Sequence, residues 1–98
     1  MELNGKQKSH LRSLAQTMKP IFQVGKDGID SIFLANVRDY LIKHELVKIT
    51  LLPSNPLELE EIKAQFEQQG FLIVQEIGNQ FVLYKRNPKL KDGIKLPR

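Results

Sequence analysis

At 98 residues and 41% hydrophobic side chains, the chain can build one compact core and not two. It holds no cysteine, which excludes disulfide stapling, thiolate metal sites and thiol catalysis, and no apolar run approaches the roughly 20 residues of a membrane helix. The net charge of +4 is unevenly spread: residues 1–48 carry eight Lys/Arg against five Asp/Glu, residues 49–84 one against five, and residues 85–98 six against one.

Residues 4–18 read as a first helix, capped by Asn4, with Leu11, Leu14 and Met18 at inward spacing. Pro20 stops it, because proline disfavours helical backbone at the residue before it. Ile21–Val24 reads as a short buried strand, punctuated by Gly25-Lys26-Asp27-Gly28. Asp30 then caps a second helix that runs to His44 with Phe33, Val37, Tyr40 and Leu41 as its apolar stripe. Leu46–Leu51 is a strand, with Val47, Ile49 and Leu51 on one face. Asn55, Pro56 and Glu58 make a capping signal for a third helix, with Leu59, Ile62 and Phe66 inward and Gly70 as its stop. Phe71–Ile77 and Gln80–Lys85 are strands joined by a Gly78-Asn79 hairpin. Residues 1–86 form the domain, and residues 87–98 read as a basic, loosely held tail.

The order α-β-α-β-α-β-β predicts a two-layer α/β domain with a four-stranded mixed sheet. Two strand–helix–strand crossovers should give parallel neighbours, and the final hairpin should add an antiparallel strand.

Charge and motif point to a polyanion as the partner. Two basic segments bracket an acidic one, so one side of the fold should be positive. Gly25-Lys26-Asp27-Gly28 sits between a strand and a helix, where glycines allow close approach and helix N–H groups favour phosphate. A tight turn would need those glycines anyway, and Asp27 opposes phosphate. At about 100° per residue, Lys8, Arg12 and Lys19 fall nearly on one line along the first helix. Lys48, Lys85 and Arg86 lie on or beside strands, where charge also guards against aggregation. The few aromatic residues fall at core spacing, which favours recognition of backbone and shape over base stacking. Tyr84 reads as core, with stacking as its alternative. No catalytic set converges: His10 and His44 are isolated, and Glu58, Glu60 and Glu61 sit where a helix start favours negative charge.

Leu11-Arg12-Ser13-Leu14-Ala15, Lys19-Pro20, Val24-Gly25-Lys26-Asp27-Gly28, Glu45-Leu46-Val47-Lys48-Ile49, Leu83-Tyr84-Lys85 and Leu96-Pro97, in that order, resemble the bacterial YhbY family. This is the single-domain form of the CRM (chloroplast RNA splicing and ribosome maturation) domain. The resemblance implies a fold like the C-terminal domain of translation initiation factor three, with helices on one side of the sheet. It implies RNA as partner, in bacteria the precursor of the large ribosomal subunit. The family's GxxG loop falls on Gly25, Lys26, Asp27 and Gly28, and its basic first helix on Lys6, Lys8, Arg12 and Lys19.

The expectation is therefore a non-enzymatic RNA-binding module in ribosome assembly, without cofactor or metal, monomeric and without a membrane role. It would contact RNA through Lys6, Lys8, Arg12, Lys19, Gly25, Lys26, Asp27, Gly28, Lys48, Lys85 and Arg86. The start of the chain lacks the apolar stretch of a signal peptide, which fits a cytoplasmic protein. The alternative is a module that docks on a ribosomal protein or assembly factor, using the acidic segment and exposed strand edges.

Overall fold

The computed structural model describes residues 3–90 and 93–97. Seven elements follow the expected order: α1 (Gly5–Ala15), β1 (Phe22–Val24), α2 (Ser31–His44), β2 (Leu46–Leu51), α3 (Leu59–Gln68), β3 (Leu72–Ile77) and β4 (Gln80–Tyr84).

Asn4 caps α1 through a reciprocal pair. Its side chain accepts the Gln7 N–H at 2.8 Å, and Gln7 Oε1 accepts the Asn4 N–H at 3.0 Å. The helix ends at Ala15, three residues short of expectation. The Met18 N–H donates to the Ala15 carbonyl and the Thr17 hydroxyl to the Leu14 carbonyl, so the chain is already turning before Pro20. Leu14, expected inward, is exposed, and Ala15 takes its place beside Leu11.

The start of α2 matches expectation, with the Asp30 carboxylate accepting the Phe33 N–H at 2.7 Å. Helix α3 starts three residues later than its capping signal suggests. Asn55 Oδ1 accepts the Leu57 N–H at 3.0 Å in a local turn that holds residues 55–57 outside the helix, and Glu58 becomes an N-cap without a side-chain bond. Gly70, at φ 81°, does end α3: its N–H and that of Phe71 bond back to the Glu67 and Phe66 carbonyls.

The sheet order is β1-β2-β4-β3. β1 and β2 are parallel, and β4 is antiparallel to both β2 and β3. The second crossover therefore does not make β3 a neighbour of β2; the hairpin's return strand fills that place. The reason lies in β4 itself. Phe81, Val82, Leu83 and Tyr84 are all buried, so both faces of this strand need cover and only a central position supplies it. β3 carries the exposed Glu76 and Ile77 at its far end and tolerates the edge.

The two-layer expectation needs correction, because the sheet is covered on both faces. On one face Val24, Val47, Ile49, Phe81 and Leu83 pack with Val37 and Leu41 of α2 and Ile62 and Phe66 of α3. On the other, Leu46, Val74, Val82 and Tyr84 pack with Leu11 and Ala15 of α1, joined by Ile94 and Leu96 from the C-terminal segment. Alternation along β2 and β4 feeds both cores, as period-two geometry requires. Tyr84 is thus a core residue, and its burial, reinforced by the nearby Glu45 charge, pushes the phenol above its ordinary pKa.

The tail is not loose either. Glu45 follows α2 in the left-handed conformation (φ 63°) and is 2% exposed. Its carboxylate accepts the Asn87 N–H at 2.7 Å and the Ile94 N–H at 2.6 Å, while Gln7 Nε2 donates to the Pro97 carbonyl at 3.1 Å. These bonds strap residues 87–97, as far as they are described, across the end of the sheet.

Candidate nucleic-acid interface

Gly25–Gly28 forms a closed β-turn: the Gly28 N–H donates to the Gly25 carbonyl at 3.0 Å. Gly28 sits at φ 66°, and a Cβ there would lie 3.3 Å from Leu57, so glycine answers both a backbone and a packing demand. Lys26 and Asp27 project at the exposed tip. Beside the turn lies an open groove of about 280 Å³, lined by Gln23, the turn, Asp30 and the first turns of α2 through Asn36. The α2 start does face this groove, but Asp30 already engages one of its N–H groups. With Asp27 and Asp30 against Lys26, the turn alone is not a positive site.

The cations of α1 lie elsewhere. Lys6, Lys8 and Arg12 are exposed on the helix that covers the opposite sheet face from α2, packed chiefly over β2 and β3. Lys8 and Arg12 flank the buried Leu11/Ala15 side, and Lys6 points about half a turn away. Because α1 stops at Ala15, Lys19 lies past the helix and leaves the line it was expected to share. Lys48 sits on the α1 face of β2, half-buried between Leu46 and Thr50.

A matching family model covers residues 3–85: the CRS1/YhbY (CRM) domain. The chain belongs to that family. The "Probable RNA-binding protein YqeI" of Bacillus subtilis is 38% identical over 96 residues, covering 97% of this chain and 99% of the relative. An "RNA-binding protein" of Haemophilus influenzae is 33% identical over 98 residues, covering 98% and 96%. The solution structure of a hypothetical protein from Staphylococcus aureus superposes with a TM-score of 0.72 at 37% identity, covering 98% of this chain and all of that one.

In this CRM domain the remaining basic candidates stand at the other end of the sheet. The register pairs Gln80 with Thr50, and Thr50 with Gln23 beside the turn, whereas Tyr84 pairs with Leu46. About 13 Å of strand therefore separates Gln80 from Tyr84, with Lys85 and Arg86 beyond. Lys85 has a structural partner: its Nζ donates to the Gln69 carbonyl at 3.3 Å, at the end of α3, and lies 5.7 Å from the Phe71 ring centre. Arg86 is exposed.

The expected cations are thus distributed over the α1 face, the turn and the far strand end rather than gathered in one patch. What the CRM fold does segregate is charge. From Leu3 to Lys26 there is no acidic residue, so α1 itself carries only basic charge. Across the sheet, α3 and its cap carry Glu58, Glu60, Glu61 and Glu67, all exposed, against Lys63, which pairs with Glu76 at 3.2 Å. Ile32 (70% exposed) and Asn36 beside the turn carry no motif in the sequence, although Ile32 falls off the α2 apolar stripe and stands out for that. His44 stacks on Tyr40 at 4.3 Å between ring centres. Among the described residues no group of three or more His, Asp or Glu is placed to hold a metal, and no helix is long and apolar enough to cross a membrane.

Proposed function

We propose that the protein is an RNA-binding module that grips the phosphate backbone of structured RNA with its α1 face and supplements that grip at the Gly25–Gly28 turn. The observation that carries this is the segregation of charge by the sheet, an α1 helix without a carboxylate on one face and an acidic α3 on the other. Such an arrangement orients a polyanion on one side and repels it from the other. The relatives' names, RNA-binding protein in each case, support the same reading. The resemblance to YhbY narrows the ligand to ribosomal RNA in the large-subunit precursor, with the cytoplasm as the setting. The role is binding rather than catalysis, in keeping with a CRM domain whose relatives are named RNA-binding proteins.

The test is binding of structured ribosomal RNA across a salt series. Each phosphate that the protein no longer neutralises should flatten the slope of log K against log salt by about 0.7–0.9. Replacing Lys8, Arg12 and Lys26 by Ala should flatten it by about 2 and weaken binding at low salt; an unchanged slope and affinity overturns the assignment. The protein-docking reading draws on the open outer edge of β3 and on Ile77, exposed at the hairpin. It gains if the protein still sediments with the same partners after complete RNase digestion.

A further inference from the structure

The strap that Glu45 holds has a consequence at the strand end remote from the turn. Between the C-terminal half of α2 and the start of the strap lies an open cavity of about 530 Å³. Its floor is apolar, formed by Leu41 and by Ile42, which is 49% exposed. Its rim is Lys85, Arg86, Asn87 and Lys89, and no carboxylate lines it among the described residues. The volume lies within the usual range of small-ligand sites. Lys85 is occupied by the end of α3, so Arg86 and Lys89, both exposed, are the rim's available cations.

The rim is a built structure. The Asn87 N–H donates to Glu45 Oε2 at 2.7 Å, its Nδ2 donates to the Ile42 carbonyl at 2.8 Å, and its Oδ1 accepts the Lys89 N–H at 3.1 Å. One side chain thus ties the strap to α2 and fixes the backbone of Lys89 beside the apolar floor. Glu45 does not line the cavity: its carboxylate is buried, and each of its oxygens takes an N–H from the strap.

We infer that this cavity seats an unpaired nucleotide of the bound RNA, with the base against Ile42 and Leu41 and the flanking phosphates on Arg86 and Lys89. The inference rests on the RNA-binding reading above and deepens it, adding a single-strand contact to the backbone grip of α1. An apolar slot ringed by cations suits a base and its phosphates together. Asn87 commits one side-chain N–H and one lone pair to holding the rim, and the floor carries no polar side chain, so the slot discriminates little among bases.

The experiment is amide NMR shift perturbation of the intact protein by two probes, a short oligouridylate without secondary structure and a blunt RNA duplex. The oligouridylate is expected to shift Ile42, Asn87 and Lys89, and the duplex to shift α1 and leave those three in place. Ile42→Ser, at a half-exposed position outside the core, should weaken oligouridylate binding about five-fold or more without changing duplex affinity. Lys89→Glu should do the same, which guards against a misfolded Ile42 variant. Oligouridylate shifts confined to α1 or the turn, or unchanged affinity in both variants, overturn the slot while leaving RNA binding intact. An acidic peptide that shifts the slot when oligouridylate does not assigns it to a protein partner instead. If neither RNA probe perturbs any part of the molecule, the RNA-binding reading fails and the slot with it.

Discussion

Glu45 offers the sharpest test of how this domain is held together. A non-glycine residue in the left-handed region costs roughly 1–2 kcal/mol. Glu45 accepts that cost and also buries a carboxylate, and two strap N–H groups within 2.7 Å compensate for both. Net, a hydrogen bond to a charged group contributes about 1.5–3 kcal/mol, so the pair could be worth about 3–6. The strap can instead detach and let its N–H groups find water, which caps the loss. Glu45→Ala should therefore destabilise by about 2–4 kcal/mol, a large share of the roughly 5–15 kcal/mol typical of such a domain. Glu45→Gly loses the same carboxylate but relieves the left-handed strain, and should recover about 1 kcal/mol of that loss. Glu45→Gln keeps the shape and one acceptor while turning an NH₂ toward a strap N–H, and should fall between Glu45→Gly and the unmodified protein. Urea unfolding read by circular dichroism gives the ranking from the midpoints, provided the slopes stay equal. If Glu45→Gly is as stable as the unmodified protein, the carboxylate does not hold the strap. If Glu45→Ala is the more stable of that pair, the left-handed strain is absent.

Tyr84 should resist ionisation. Its folded pKa is raised by burial first and by the Glu45 charge second, with Arg86 opposing. The stability this contributes is fully present below the unfolded value of about 10 and is lost as pH rises through the folded value. Tyrosinate absorbance in the folded protein should show one of the two tyrosines titrating late, and urea midpoints should fall at high pH; simultaneous titration of both near the ordinary value would contradict this. Asp30→Asn preserves a good N-cap while deleting a negative charge beside the turn. If RNA phosphate approaches the start of α2, affinity at low salt should rise about two- to five-fold, on the order of 0.5–1 kcal/mol. Unchanged affinity would place the phosphates on α1 alone.

The identity and order of the elements were legible in the chain because each carries its own signal at short range. Asn4 and Asp30 cap, Gly70 stops a helix, Gly78-Asn79 turns a hairpin, and alternation marks β2. Element boundaries were less legible where two local signals competed. Asn55 is a plausible cap but makes a turn with Leu57, and Thr17 and Met18 end α1 early.

What the sequence by itself determined, then, is an α/β chain of seven elements with a glycine-bounded turn, a basic N-terminal half and a basic end, because periodicity, capping and charge are properties of neighbours along the chain. Only the tertiary structure decided that β4 enters between β2 and β3, that α1 and the strap cover the second face, and that Glu45 fastens that strap. It also decided that Lys85 serves the end of α3, and that the cations divide between the α1 layer, the turn and the far strand end. Each of these joins residues distant in sequence, and depends on which surfaces remain to be buried once the local elements have formed.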